Sequence, residues 1–290
     1  MVIILVITLL YCAFSYLAFR IFSMPPGHAA AQTPIGNYLS VSYPARGRNY
    51  LVYAYLLPGA PDTPALIVVH GIGGTRHSPD FLDYAELLRS LGYTILLIDM
   101  SDGAGDTIGD GYNALGVDER WDVLGSFDYL TAHGFASDQI GLVGLSMGGA
   151  TSILAAGIEP RLKAVWDDSG YARITDILQE RLAGGGLIPL LIPGGLAWDY
   201  IFTGNRLWEV APVDMLPNFA KNAQALYIAH GDQDVVVKPH HANELYAAGR
   251  QAGADVVLWS VAGGEHIVLH KQFPTEYLRR LDSFFKTRLR

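Results

Sequence analysis

The chain has one cysteine, Cys12, in 290 residues. A single thiol excludes an intrachain disulfide and any thiolate metal site, and it leaves the redox compartment unmarked. Basic residues are also short: 20 Lys and Arg face 28 Asp and Glu, for a formal charge of −8. A nucleic-acid backbone demands a concentrated basic surface, so nucleic acid is excluded as the partner. Charge of either sign is missing from the first 19 residues, MVIILVITLLYCAFSYLAF. No acidic residue occurs before Asp62. There is no internal repeat. What the chain does have is apolar residues, 50% of the total, enough for a sizeable core.

The uncharged start predicts a transmembrane helix over residues 1–22. At about 1.5 Å per residue the run reaches roughly 28 Å, close to the bilayer core, and Arg20 can snorkel at its end. Two other readings stand beside it: a buried helix of a soluble protein, and a signal peptide cleaved at Ala29-Ala30-Ala31 to release a secreted protein. The missing charged n-region and the length of the run favour an uncleaved, single-pass anchor. Arg20, Arg46 and Arg48 follow the span, which orients the remainder toward the cytoplasm by the positive-inside tendency.

Residues 23–37 read as a linker of Pro, Gly and Ala, and 38–290 as one domain. Two strands open it, at 38–43 and in NYLVYAYLLP. Apolar runs then alternate with helical patterns. ALIVVHG (65–71), YTILLIDM (93–100), QIGLVGLS, LKAVWDDSG (162–170), QALYIAHGD (224–232) and ADVVLWSVA (254–262) read as buried strands. Residues 78–90, 117–130, 147–157, 240–251 and 274–288 read as helices. This order predicts an α/β fold: a mostly parallel sheet of about eight strands, helices on both faces, right-handed crossovers, and chemistry at the carboxyl ends of the strands. Segment 171–222 breaks the alternation. Its LAGGGLIPLLIPGGLAWDYIF is too rich in Gly and Pro for a long helix, and it reads as a lid or cap insertion.

One apolar strand stops at a serine fenced by glycines: Gly144-Leu145-Ser146-Met147-Gly148 fits G-x-S-x-G on a strand-to-helix turn. Such a turn exposes a hydroxyl, and the helix behind it aims N–H groups at the same spot. HGIGGT, GLSMGG, HGDQD and GGEH follow in order along the chain. In this the sequence resembles the α/β-hydrolase superfamily over roughly residues 38 to 288, and DSGYA with the short insertion resembles its serine esterase and prolyl-oligopeptidase-like peptidase branches.

The resemblance implies a Ser-His-Asp triad in the order Ser146, Asp234, His266, because a serine hydroxyl needs a base and the base needs an orienting acid. Asp232 competes for the acid, and His270 for the base. His266 sits in AGGEHIV, where glycines let a loop carry it over the serine. The oxyanion donors implied are the amides of Met147 and Ile72, with Gly73 as the neighbour of the second. His70 braces that loop. His133, His240 and His241 read as helix-end or surface residues. KPHH has no third ligand spaced to hold a metal. Asp102, Asp106 and Asp110 fail the EF-hand spacing and fall in a loop. Asp167 and Asp168 suit either capping or substrate contact.

The chemistry expected is acyl transfer with no cofactor and no metal, on a small-molecule acyl ester, with a peptide as the alternative. A third reading is a silent hydrolase fold used as a binding module. Leu187, Ile188, Leu190, Leu191, Ile192, Leu196, Trp198, Tyr200 and Ile201 either face the site, favouring an apolar substrate group, or pack on the sheet or the bilayer.

Overall fold

Runs of aliphatic residues with no polar alternation set the middle of the sheet. In the computed structural model, which describes residues 2–23, 32–102, 104–182 and 188–289, every residue is buried in β3 (Ala65–Val69), β4 (Thr94–Ile98), β5 (Ile140–Leu145), β6 (Ala164–Asp168) and β7 (Ala225–Gly231). The flanking strands β1 (Leu39–Pro44), β2 (Leu51–Leu57) and β8 (Asp255–Val261) mix exposed and buried positions. The eight strands run β1-β2-β4-β3-β5-β6-β7-β8. The pairs β1–β2 and β2–β4 are antiparallel, and all the others are parallel.

Alternate residues of each strand serve two cores. Ala65, Ile67 and Val69 join an apolar cluster with α3 (Arg120–Ala132) and α4 (Met147–Ile158), to which α8 (His240–Ala252) also belongs. Leu66 and Val68 join a second cluster with α2 (Pro79–Arg89) and α9 (Pro274–Arg288), on the other face. The mostly parallel α/β-hydrolase sheet expected from the sequence is therefore the one found. Its order reverses between β3 and β5: the chain steps from β3 outward to β4, then returns to β5 on the far side. A crevice opens at such a switch point, beyond the strand ends. His70 leaves β3 there, and Ser146 leaves β5.

Two elements differ from the sequence reading. Helix α3 begins at Arg120 rather than at 117: residues 117–119 form tight turns, with the Val117 amide bonded to the Ala114 carbonyl, after the left-handed Leu115 and Gly116 (φ 51° and 88°). Among its described residues, segment 171–222 carries three short α-helices: α5 (Ile174–Leu182), α6 (Ile192–Thr203) and α7 (Leu216–Lys221). Pro193 suits the first turn of α6, where its missing N–H has no partner to lose. Ala29 to Ala31, most of the linker, and Leu187 lie outside the described residues, as do the side chains of Leu182 and Ile188.

Helix α1 (Val2–Ser23) is long and apolar enough over Val2–Ile21 to cross a membrane, and 17% of its most apolar stretch is buried. An N-terminal anchor and a signal sequence share that character. The buried residues, Ser15, Ala18, Phe19 and Ser23, lie toward its C-terminal end.

Candidate active site

The turn between β5 and α4 is tight enough to exclude side chains. A Cβ on Gly144 would lie 2.2 Å from the Gly148 carbonyl oxygen, and one on Gly148 would lie 2.1 Å from that of Val69. With both glycines in place, Ser146 takes a conformation with φ 56° and ψ −121°, which an L-residue holds only when its surroundings enforce it. The Ser146 amide donates to the Asp168 carbonyl (2.8 Å), and its own carbonyl accepts the Gly149 amide (2.9 Å). The hydroxyl is thereby held at the crevice.

The loop after β7 supplies a carboxylate and the loop after β8 an imidazole. His266 Nδ1 donates to Asp234 Oδ2 at 2.7 Å, and His266 Nε2 faces Ser146 Oγ at 3.0 Å. Asp234 Oδ1 accepts the Val236 and Val237 amides, both at 2.9 Å. Burial raises its pKa, but the hydrogen bond and charge of His266 more than reverse this and leave it below the usual carboxylate range. The two competitors sit elsewhere. Asp232 accepts the Gly263 amide at 2.7 Å and ties the β7 loop to the end of β8. His270 lies against Tyr84 and Tyr277, where burial holds its pKa down near 4.

Across the crevice, Gly71 covers the serine: a Cβ there would lie 3.2 Å from Ser146 Cβ. His70 braces this loop as expected. Its Nδ1 donates to the Gly71 carbonyl at 2.8 Å, and its Nε2 accepts the Met100 amide at 3.0 Å, which fixes the tautomer. The Gly73 amide donates to Asp102 Oδ2 at 3.3 Å. Among the described residues, the amides of Ile72 and Met147 have no such acceptor.

Several groups whose partners the sequence did not reveal support this arrangement. Asp168 is fully buried. It accepts the Tyr277 hydroxyl at 2.8 Å and the Ser169 hydroxyl at 2.9 Å, while Trp166 Nε1 donates to Tyr277 Oη at 3.0 Å. Ser169 Oγ in turn accepts the amide of Ile267, the residue after His266, at 3.3 Å. Ser169 and Ile267 both have left-handed backbone, φ 62° and 50°. Burial pushes Asp168 up to about 6, and its two hydrogen bonds hold back part of the rise. His230 Nε2 donates to the Val237 carbonyl at 2.8 Å and lies 3.4 Å from Asp234. Asp167 caps the backbone: its Oδ1 accepts the Gly170 amide at 3.0 Å. Neither Asp167 nor Asp168 reaches solvent, which leaves them no substrate contact.

The histidine pair at the start of α8 needs a correction. Its third neighbour exists, but 60 residues away in sequence: Glu180 of α5 meets His240 Nε2 and lies 3.6 Å from His241 Nε2. His241 is buried, not a surface residue. Its Nδ1 accepts the Ala172 amide at 3.3 Å, which leaves the proton on Nε2, and the Lys238 ammonium stands 3.8 Å from Glu180. That tautomer and that neighbouring cation disfavour a metal and suit a latch between α5 and α8.

The geometry agrees with the comparisons. The chain matches the Prolyl oligopeptidase family over residues 79–290. Among solved structures it resembles the Pyrococcus furiosus esterase Pf2001, with TM-score 0.75 and 20% identity over 93% of this chain and 99% of that one. It also resembles Est1E from Butyrivibrio proteoclasticus, with TM-score 0.63 and 21% identity over 86% and 99%. A third likeness is to the Pyrococcus horikoshii acylaminoacyl peptidase, with TM-score 0.63 and 17% identity over 87% of this chain and 41% of that one. At these identities the structural likenesses speak to fold. No curated protein matches. A family match across most of the chain, on a sheet of this topology, makes the chain a member of the prolyl oligopeptidase family and a serine hydrolase of the α/β-hydrolase fold.

Proposed function

We propose that this hydrolase cleaves carboxylic esters through an acyl-enzyme, with Ser146 as nucleophile, His266 as base and Asp234 as the acid that orients it. The observation that carries the reading is the unbroken hydrogen-bonded run from Ser146 Oγ through His266 to Asp234. In the proposed cycle, Ser146 Oγ bonds to the ester carbonyl carbon as His266 Nε2 takes its proton. The Met147 and Ile72 amides hold the oxyanion, and one such donor is typically worth about 3 kcal/mol of barrier. As the carbonyl re-forms, the C–O bond breaks and the alcohol leaves with the proton from His266. Water then repeats the sequence on the acyl-enzyme and frees the acid. Asp234 stabilises the imidazolium and fixes its tautomer.

Support for an ester comes from the Pyrococcus furiosus esterase, which aligns over 99% of its own length, and the apolar residues of 171–222, such as Leu191 and Leu196, are the basis for an apolar substrate group. The family's name and the acylaminoacyl peptidase likeness support a second reading, a serine peptidase of the aminopeptidase or prolyl-oligopeptidase kind. In the proposed domain layout, 1–22 anchors the chain in a membrane, 23–37 links, and 38–290 is the hydrolase with 171–222 as its lid.

A fluorophosphonate probe should label the full-length protein but neither Ser146→Ala nor His266→Ala. Removing a triad member should cost on the order of 10⁶ in kcat, because the members act as a unit. Turnover of acyl esters without cleavage of matched peptide anilides supports the ester reading, and the opposite pattern replaces it with the peptidase one. If acetyl esters turn over much faster than octanoyl esters, the apolar substrate group is wrong.

A further inference from the structure

Helix α6 does not merely touch α1; it runs alongside it in the same direction. Tyr11 Oη donates to the Leu190 carbonyl at 3.3 Å and accepts the Gly194 amide at 3.1 Å. Trp198 Nε1 donates to the Cys12 carbonyl at 3.2 Å, and its ring meets Tyr16 edge-on. Phe202 stacks on Phe19 with centroids 5.5 Å apart. Gly194 lets the helices close: a Cβ there would lie 2.5 Å from Ser15 Cβ.

This pairing fixes a depth. Tyr11 lies roughly 18 Å along α1 from Ser23, more than half of a hydrocarbon core of about 30 Å. If α1 enters a bilayer over its apolar length, the N-terminal end of α6 goes in with it. The composition of α6 agrees. Between residues 188 and 203 the one charged residue is Asp199, and it is turned inward, 2% exposed, into the cavity behind the helix. Apart from the Tyr200 hydroxyl, the large outward groups are apolar: Leu190 is 66% exposed, Ile201 65% and Phe202 47%, with the Tyr200 ring at 42%. On α1, Leu10, Phe14 and Leu17 are exposed as well.

We propose that α1 and α6 form one bilayer-docking face, with the turn at Leu190 near the bilayer midplane and the outward side of α6 seated in the lipid leaflet nearest the hydrolase domain. The proposal rests on the reading of α1 as a membrane helix. It does not depend on which bond the enzyme cleaves.

Nitroxide labels on the full-length protein, reconstituted in phosphatidylcholine vesicles, test it. Cys12 is exposed and is the natural site for α1. Leu190→Cys and Ile201→Cys, each with Cys12→Ser, report on α6, and Gln251→Cys at the end of α8 reports on water. Collision rates with oxygen and with a water-soluble nickel chelate give the depth. Expected are Cys12 and Leu190→Cys at about the same depth, rich in oxygen and shielded from nickel. Ile201→Cys should be shallower but still shielded, and Gln251→Cys open to nickel. Nickel access at Leu190→Cys with Cys12 shielded overturns the seating of α6 and leaves the anchor standing. Nickel access at Cys12 removes the anchor itself. Exclusion of both reagents at Leu190→Cys, with spin–spin broadening, makes a second copy of the chain the occupant and overturns lipid.

Discussion

Asp168 shows what a single buried residue does beneath this site. Its carboxyl meets two hydroxyls, and one of them reaches the backbone beside His266. Its pKa near 6 lies above the unfolded value of about 3.9. Between those values the folded protein keeps a proton that the unfolded chain has released. The stability so contributed is complete below the unfolded pKa and is lost as pH rises through the folded one. Denaturant titrations of wild type and Asp168→Asn from pH 4 to 7 should therefore show a downward slope in the wild type that flattens in the variant. An unchanged slope would assign the effect to the other buried carboxyls whose pKa burial raises, Asp122, Glu119, Asp199 and Asp167. None of this was legible in the sequence, because Tyr277 and Asp168 are 109 residues apart. Ser146, Asp234 and His266 were legible as candidates because each sits in a short motif at a strand end, where local spacing carries the signal. Asp232 and His270 carry a similar signal in sequence, and in the fold Asp232 meets the Gly263 amide while His270 packs on Tyr84 and Tyr277.

At the scale of elements, the β5 turn works by close backbone approach. Gly144→Ala places a methyl against the backbone of Gly148, which cannot rotate away. The expected result is a destabilisation of about 3 kcal/mol in denaturant unfolding, together with loss of fluorophosphonate labelling as α4 is pushed aside. An alanine variant of normal stability that still labels would mean the turn has slack. The strands were legible because buried parallel strands are unbroken apolar runs, and β3 to β7 all read that way. The start of α3 was not, because nothing in the composition of Ala114-Leu115-Gly116 announces two left-handed residues in succession. The helices of 171–222 were hidden for another reason. Gly194 and Gly195 lower helix propensity, yet they fit where α6 must lie close to α1, so tertiary contact overrides local preference.

For the whole molecule, sequence patterning gave the sheet, its two helical faces and the apolar N-terminal helix. It did not say that this helix would pack on 171–222, since contact between segments some 180 residues apart has no periodicity to betray it. N-terminal sequencing of membrane-extracted protein is expected to recover the start of α1. A mature chain beginning at Gln32 would mean that α1 is removed as a signal sequence and that α6 ends up uncovered.

The same packing bears on how the enzyme is handled. Trimming the first 23 residues to gain solubility would strip away Phe19, Tyr16 and Tyr11, and with them the partners of Phe202, Trp198 and Gly194. It would also take down one wall of the cavity, where Ala18, Phe19 and Ser23 stand. The shortened enzyme would carry a bare greasy strip, associate through it, and yield rate constants that belong to the clump.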